Sequence, residues 1–402
     1  MLHNLRMKRG DWTYIWEDPQ WPACRYDLAR LAAPLAQTSL VQGLLVGRLA
    51  DVGANLQSQA SLVALTDDVL KTSEIEGERL SADSVRSSIA RRLGVDIGAL
   101  APVDRNVEGV VEMVLDATLH CAAPLTTERL FGWHAALFPT GRSGMRRITA
   151  GHWRTGRMEV VSGPEGKQKV HFEAPAAEVV GPEMKAFLAW YEDNASGTEP
   201  LIKAGLTHLY FVTIHPFEDG NGRIARAITE MSLARLENSA QRFYSMSSQI
   251  REERKGYYQI LESIQKGGMD VTEWLVWFLD CLGRAIGKAN ELAAGVLAKE
   301  AFWRHLRQKS IEVSERQKQI VNQLLDGFEG KLTTEKWAKL AKISHDTALR
   351  DIQELIAKGI LKQEEGGGRS TAYTLIREQE KMRYRDSKVQ ELDRLLTRLR
   401  RS

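Results

Sequence analysis

Apolar residues recur at three- and four-residue steps along most of the chain, which is the period of amphipathic helices. This pattern predicts successive helices over residues 26–94 and again over residues 177–301. Residues 141–175 interrupt it, because the runs MEVVS and KVHFE flank a Gly/Pro turn and predict a hairpin over residues 158–172. The pattern therefore predicts a mainly α fold with one short β-hairpin.

After about residue 313 the sequence pattern predicts a small separate module. The segment LTTEKWAKLAKISHDTALRDIQELIAKGIL predicts helix, turn and helix, and GILKQEEGGGRSTAYTLI predicts two short strands around a glycine-rich turn. The predicted domains are an N-terminal helical domain over 1–100, a core over 101–300, a small α+β module over 313–375 and a charged C-terminal helix over 376–402. Leucines form a stripe on that last helix, which indicates packing or a homodimer rather than a membrane anchor.

Composition narrows the class of protein without naming a function. Of the 402 residues, 43% are hydrophobic and 27% charged, and the net charge of +3 means that nucleic-acid binding would need a local basic patch. The cysteines Cys24, Cys121 and Cys281 are scattered and lack metal-ligand spacing, which favours buried free thiols in a reducing compartment. No run resembles a signal peptide or a membrane span, so we expect a cytoplasmic protein that does not bind membranes.

The chemistry is concentrated in HPFEDGNGRIAR, residues 215–226, which lies between two apolar helical stretches. The first turn of a helix carries unpaired N–H groups and a partial positive charge, and glycines there let the backbone approach an anion closely. Arg223 and Arg226 lie on one helix face, where guanidinium groups can hold phosphate oxygens. Asp219 suits a divalent cation, and His215 can accept a proton near neutral pH. These residues together indicate phosphoryl or nucleotidyl transfer.

Residues 215–226 resemble the Fic-family signature HPFxDGNGRxxR at every fixed position. The resemblance implies a protein adenylyltransferase that moves AMP from ATP, with Mg²⁺ or Mn²⁺, to a Ser, Thr or Tyr hydroxyl of a target protein or of itself. His215 would be the general base, Phe217 would anchor the loop in the core, and Asp219 would bind the metal. The residues that the resemblance places on the nucleotide are Asp219, Gly220, Asn221, Gly222, Arg223 and Arg226. Relatives that phosphorylate carry a lysine at the position of Gly222, so its absence favours AMP transfer.

Two further segments are similar to parts of the same family. The hairpin over 158–172 resembles the flap that holds the target peptide by strand addition, and its binding residues would be Val160, Val161, Ser162 and Gly163. An ordinary surface hairpin is the alternative. The segment RKGYY, with Gln265 beyond it, resembles the adenine pocket, in which Tyr257 or Tyr258 would stack on the base. Aromatic residues at helical spacing are also typical of a protein core, so both interpretations stay open.

Thr72, Glu76 and Gly77 match the family's inhibitory pattern [S/T]xxxE[G/N], and they lie at the end of a predicted helix. The match implies that the Glu76 carboxylate occupies Arg226 and leaves ATP badly oriented for attack. Two other functions remain open from the residues alone. The same site could remove AMP from modified proteins, or the core could sense nucleotide for a DNA-binding regulator.

The module over 313–375 resembles a winged helix-turn-helix, whose second helix would cover about residues 345–358. Arg350, Lys358 and Arg369 would then contact DNA. The same helix carries Asp346, Asp351 and Glu354, which oppose DNA and favour a protein-interaction module instead.

Overall fold

The structure is a computed structural model that describes residues 12–50, 53–98, 100–163, 167–193, 195, 197–325, 331–364 and 371–376. The chain divides into two units, Met1–Asn290 and Glu291–Ser402. The predicted fold class, mainly α with a short β-hairpin and a small α+β module, is confirmed. Arg369 and the predicted C-terminal helix over 376–402 lie, apart from Ile376, outside the described residues.

The first unit is built from helices joined by short loops. They are α1 (Leu28–Ala50), α2 (Ala54–Ile75), α3 (Ala82–Leu93), α4 (Arg105–Leu119), α5 (Thr127–Leu137), α6 (Ala177–Glu192), α7 (Pro200–Ile214), α8 (Asn221–Glu237), α9 (Met246–Glu252), α10 (Arg254–Gln265) and the start of α11 (Thr272–Gln308). Thr126 caps α5, because its hydroxyl accepts a hydrogen bond from the backbone N–H of Arg129. The predicted end of α11 near residue 301 is wrong, since Leu306 of the same helix is buried in the core of the second unit.

The core of the first unit lies around α7 and α8. Nearly every side chain of α7 is buried, and α8 packs against α7, α4 and α5. Helix α2 packs against α9, α3 and α8, which places its C-terminal end beside the start of α8. The end of α2 and the start of α8 are therefore brought together although they are far apart in sequence.

Two hairpins flank this helical core. The shorter pairs β1 (Arg142–Ser143) with β2 (Arg146–Arg147), and the longer pairs β3 (Glu159–Ser162) with β4 (Lys169–Glu173), both antiparallel. The second of these is the hairpin that the sequence predicts. Its register shifts between Val160 and Val161, so one residue of β4 is unmatched there.

The second unit contains the predicted helix, turn, helix and two strands, preceded by a further helix that was not predicted from the sequence. After the end of α11 come α12 (Glu315–Leu325), α13 (Thr334–Ala341), α14 (His345–Ala357), β5 (Leu361–Gln363) and β6 (Tyr373–Leu375), and the two strands pair antiparallel. Trp337, Ile352 and Leu355 are fully buried in its own hydrophobic core. Within the described residues, no helix is both long enough and apolar enough to span a bilayer. All three cysteines are free, but only Cys281 is buried and the other two are half-buried.

Candidate active site

The loop of residues 215–220, here called the signature loop, joins α7 to α8 through two left-handed residues. His215 ends α7 at a φ of 52°, and Gly220 precedes α8 at a φ of 78°. A Cβ at Gly220 would also stand 2.9 Å from Cε2 of Phe138. Glycine is therefore required at this position both by the backbone conformation and by the space available.

Phe217 and Asn221 fix the shape of the signature loop. The Phe217 ring is fully buried and stacks on the ring of His134, with centroids 4.2 Å apart. The Asn221 amide accepts a hydrogen bond from the Phe217 N–H at 2.9 Å and donates one to the Phe217 carbonyl at 2.8 Å. Both polar groups of the Asn221 side chain are thus bonded within the loop, so only the backbone N–H of Asn221 is left for an anion.

Arg154 holds the start of the same loop. Its guanidinium is buried and donates to the carbonyls of His215, at 2.9 Å, and of Gly156 and Pro175. Its backbone N–H also donates to the Pro216 carbonyl at 2.9 Å. The Arg154 guanidinium therefore donates its hydrogen bonds to backbone carbonyls. These bonds fix the position of His215 and bring a positive charge close to its ring.

His215 is arranged as a neutral base. Its Nδ1 lies 3.2 Å from the Val212 carbonyl oxygen, which can only accept, so Nδ1 carries the proton and Nε2 keeps a free lone pair. Burial lowers the pKa of His215 below its ordinary value of 6.5, and the charge of Arg154 acts in the same direction. The Val212 carbonyl, Glu76 and Asp219 oppose this shift without reversing it.

Two of the three predicted inhibitory residues, Thr72 and Glu76, contact Arg226 directly. Its Nε donates to the Thr72 hydroxyl at 2.7 Å, and its Nη2 donates to the Thr72 carbonyl at 3.0 Å and to Glu76 Oε1 at 2.7 Å. The Glu76 carboxylate also covers Gly222, because a Cβ built there would stand 2.3 Å from Oε1. A carboxylate therefore occupies the first turn of α8, where the sequence predicts an anion site.

Arg223 also pairs with a carboxylate, that of Glu78, which lies outside the inhibitory pattern in the sequence. Its Nη1 donates to Glu78 Oε2 at 2.7 Å, and its guanidinium lies 5.0 Å from the centre of the Phe138 ring. Both arginines are about 3% exposed. Among the described residues, neither Arg223 Nε nor Arg226 Nη1 has a hydrogen-bond partner, so each guanidinium keeps a buried donor for a further acceptor.

Asp219 lies at the edge of the signature loop and accepts a hydrogen bond from the Ser143 hydroxyl of β1. Its other oxygen accepts from the Gly220 N–H at 2.6 Å. Within the described residues, no three metal-binding side chains cluster. Asp219 is the carboxylate of the signature loop itself, and one or two carboxylates are what Mg²⁺ commonly takes from a protein when phosphate oxygens and water complete its shell.

The residues predicted to bind adenine differ in how deeply they are buried. Tyr257 is buried, with its hydroxyl 2.8 Å from His208 Nε2, and Gln265 is buried against Val212 and Thr213. The ring of Tyr258 is 37% exposed, and the Arg254 guanidinium lies 5.3 Å from its centre. Of the two tyrosines, Tyr258 is the one that offers a face to a ligand.

The predicted flap is connected to α10. Within the hairpin, Ser162 Oγ lies 2.6 Å from Nε2 of His171, and the Nδ1 of that ring lies 2.7 Å from Glu262 of α10. Val161 and Val170 pair across the hairpin and are each 38% exposed. Gly163, at a φ of 100°, turns the chain after β3. The hairpin therefore offers exposed valines and lies against the helix that carries Tyr258.

Comparison with known families agrees with this geometry. Residues 124–233, which include α5, both hairpins and the signature, match the Fic/DOC family. This part of the chain is therefore similar to a Fic/DOC domain. Residues 316–374 match the DeoR-like helix-turn-helix domain, and residues 14–95 match a domain of unknown function, DUF4172.

The relatives of the Fic domain are distant. Protein adenylyltransferase fic-1 of Caenorhabditis elegans is 34% identical over 65 residues, 16% of this chain and 13% of that protein. Protein adenylyltransferase Fic of Drosophila melanogaster is 30% identical over 104 residues, 26% of this chain and 20% of that protein. The chain thus spans a fifth or less of these curated relatives. A crystal structure of a Fic family protein from Desulfovibrio desulfuricans is 18% identical, with a TM-score of 0.49, and the match covers 86% of this chain and 95% of that one.

Proposed function

We propose that this chain is a protein adenylyltransferase that transfers AMP from ATP to a protein hydroxyl and is held inactive by Glu76. The observation that carries the proposal is the position of the Glu76 carboxylate, on Gly222 and 2.7 Å from Arg226. A carboxylate in that position takes one N–H of Arg226 and fills the space over Gly222 that a nucleotide phosphate would need. Occupation by the chain's own anion therefore supports both an anion site and its inhibition.

The unpaired donors of Arg223 and Arg226 support a phosphate ligand. A buried polar group without a partner costs about 1–3 kcal/mol, and more when it is charged. A triphosphate has enough acceptor oxygens to satisfy both donors at once. The unpaired donors are consistent with a site that is complete only when nucleotide binds.

Asp219 is the residue that would hold Mg²⁺ or Mn²⁺. The metal would neutralise phosphate charge and polarise the group that is transferred. Because Ser143 donates to Asp219, that hydrogen bond has to be released or shared when Asp219 binds a cation.

The nucleoside would lie next to Tyr258. A cleft of about 470 Å³ opens beside the end of α2, and its walls include Gly77, Arg251 and Arg254. Arg254, one of the residues that line the cleft, also lies 5.3 Å from the centre of the Tyr258 ring. An aromatic face next to guanidinium groups suits a purine base and its phosphates.

The target segment would pair with β3 of the flap. Backbone hydrogen bonds of an added strand can hold a peptide without requiring particular side chains on the flap. His215 Nε2, with its free lone pair, would then take the proton from the target hydroxyl as that oxygen attacks the α-phosphorus and pyrophosphate leaves.

The direct test is to incubate a cell lysate with labelled ATP and the Glu76→Gly variant, and to identify modified peptides by mass spectrometry. We expect AMP on Ser, Thr or Tyr residues, and no label when the variant also carries His215→Ala. Label that appears equally in both samples would contradict the proposed function.

Acid should reduce transfer with a midpoint below pH 6.5, the ordinary pKa of histidine. The base acts in its neutral form, whose fraction rises as pH rises through the pKa, and burial lowers that pKa. The transfer rate of the Glu76→Gly variant should therefore reach its plateau by about pH 7 and no longer rise with pH. Rates measured from about pH 5 to 8 check this, and a midpoint above 6.5 would contradict it.

The second unit favours an additional role in DNA binding. One acidic residue of α14 that opposes DNA in the sequence, Asp351, is buried and accepts two hydrogen bonds from Arg316 at 2.8 Å. Glu354 stays 51% exposed and is bonded to Gln317 and to Lys358, one of the predicted DNA contacts. Arg350 and Gln353 remain exposed on α14 and could face a groove.

Gel retardation by the full-length chain should be salt-dependent, because phosphate contacts release counterions. Arg350→Ala should weaken binding about tenfold, the effect of losing one contact of about 1–3 kcal/mol. Lys318→Ala, which removes a lysine that pairs with Glu315 on α12, is the matched control. Absence of retardation even at low salt would favour a protein-interaction module.

A further inference from the structure

Glu78 is the second carboxylate at the candidate site, and it lies outside the inhibitory pattern Thr72–Gly77. Its Oε2 lies 2.7 Å from Nη1 of Arg223, the first arginine of the signature. The two side chains differ in exposure, since Glu78 is 48% exposed and Arg223 only 3%. One partner can therefore move into water while the other stays fixed.

The end of α2 explains why two carboxylates, two residues apart, reach two arginines of one loop. The Gly77 N–H donates to the Glu74 carbonyl at 3.1 Å, and the Glu78 N–H donates to the Ser73 carbonyl at 3.0 Å. With Gly77 at a φ of 87°, these bonds form a Schellman motif that ends the helix. The chain turns sharply at Gly77, and Glu78 is placed by backbone hydrogen bonds rather than left in a loose loop.

Each arginine of the signature is thus occupied by one carboxylate of the same helix end. Arg226 is occupied by Glu76, and Arg223 by Glu78. Glu78 also lines the cleft of about 470 Å³ in which the nucleoside would lie. A nucleotide that enters by this cleft meets Glu78, and its phosphates have to compete for Arg223.

We infer that Glu78 is a second inhibitory residue, which opposes the binding of nucleotide phosphates at Arg223. The inference rests on the proposed function, because it takes Arg223 to be a ligand of the outer phosphates. Glu76 and Glu78 divide the inhibition between them. Glu76 controls whether bound ATP is oriented for transfer, and Glu78 controls how tightly nucleotides with outer phosphates bind. AMP lacks those phosphates and is affected less.

A purely structural role predicts the opposite result. If Glu78 only neutralises the buried Arg223, its removal leaves a charged donor unpaired and destabilises the chain. Nucleotide affinity would then stay the same or fall. The sign of the change in affinity therefore separates the two roles.

The experiment is calorimetric titration of the full-length chain and of its Glu78→Gln variant with ATP, ADP and AMP, each with Mg²⁺. We expect ATP and ADP to bind about 3- to 10-fold more tightly to the variant, between the effect of an exposed ion pair and that of a buried charged hydrogen bond. The affinity for AMP should rise less. Glu273→Gln, which removes the same charge from a surface pair with Arg30, should bind all three as the parent does.

Unchanged or weaker ATP binding by folded Glu78→Gln would overturn the inference. Melting temperature and circular dichroism establish folding, and Glu78→Asp, which keeps the charge and shortens the reach, replaces the variant if it fails to fold.

The titration does not depend on transfer. Tighter ATP binding without AMP transfer in any variant would leave the inference standing and reject the proposed function. Transfer by Glu76→Gly, with no gain in Glu78→Gln affinity, would reject the inference alone.

Discussion

Replacing His215 with alanine is expected to reduce AMP transfer by about 10²–10⁴-fold, the usual effect of losing a general base. ATP binding should remain nearly unchanged. The reason is geometric, because the protonated Nδ1 is held by the Val212 carbonyl and only Nε2 is left to accept the proton of the target hydroxyl. The measurement compares rates from labelled ATP, in the Glu76→Gly background, with and without His215→Ala.

His120→Ala is the matched control for that comparison, since His120 is an exposed histidine paired with Asp116 on the end of α4. The control should transfer AMP at the rate of its parent. Transfer at the parental rate by pure His215→Ala, with ATP binding confirmed, would remove His215 from the mechanism and leave the signature loop as an anion site alone.

The parts of the site that could be predicted from the sequence are those encoded within a few residues. Gly220 and Phe217 lie in one continuous motif between two apolar helices, and the helix N-terminus follows from that order. The end of α2 at Gly77 was predictable for the same reason, because a glycine after a helix commonly takes the left-handed conformation, here at a φ of 87°.

The contacts that could not be predicted join residues far apart in the chain. Ser143 meets Asp219, Arg154 meets the His215 carbonyl, and Glu78 meets Arg223. Each depends on how helices and hairpins pack, and a polar residue in a loop carries no local signal of its distant partner. The two glutamates around Gly77 were the available signal for Glu78, once the turn of the chain was known.

Burial explains why Tyr257 and Tyr258 are placed differently, and why Asp351 on α14 does not face solvent. Tyr257 and Tyr258 are adjacent in sequence, but successive positions of a helix face different directions, so one ring is in the core and the other at the surface. On α14, Asp351 points inward to Arg316 although its residue type is typical of a solvated face. The sequence shows that a carboxylate is present but not whether a neighbouring helix neutralises it.

Replacing Glu76 with glycine is expected to raise AMP transfer by roughly 10- to 100-fold. A charge-assisted hydrogen bond is worth about 1.5–3 kcal/mol, and its loss frees Arg226 and the space over Gly222 for phosphate. The released site should also modify hydroxyls of the chain itself. The measurement is the rate of AMP incorporation from labelled ATP by the wild-type chain and the variant, followed by mass spectrometry of both.

Two further variants separate loss of the carboxylate from other effects of glycine. Glu76→Gln keeps the length of the side chain and removes its charge, so it should release part of the inhibition, since a neutral amide competes less well with phosphate for Arg226. Arg226→Ala should not activate, because the same guanidinium that Glu76 occupies is needed for the phosphate. Equal low rates for the wild-type chain and Glu76→Gly, with ATP bound to both, would show that Glu76 does not inhibit. The contact of Glu76 with Arg226 would then only neutralise a buried arginine that faces the end of α2.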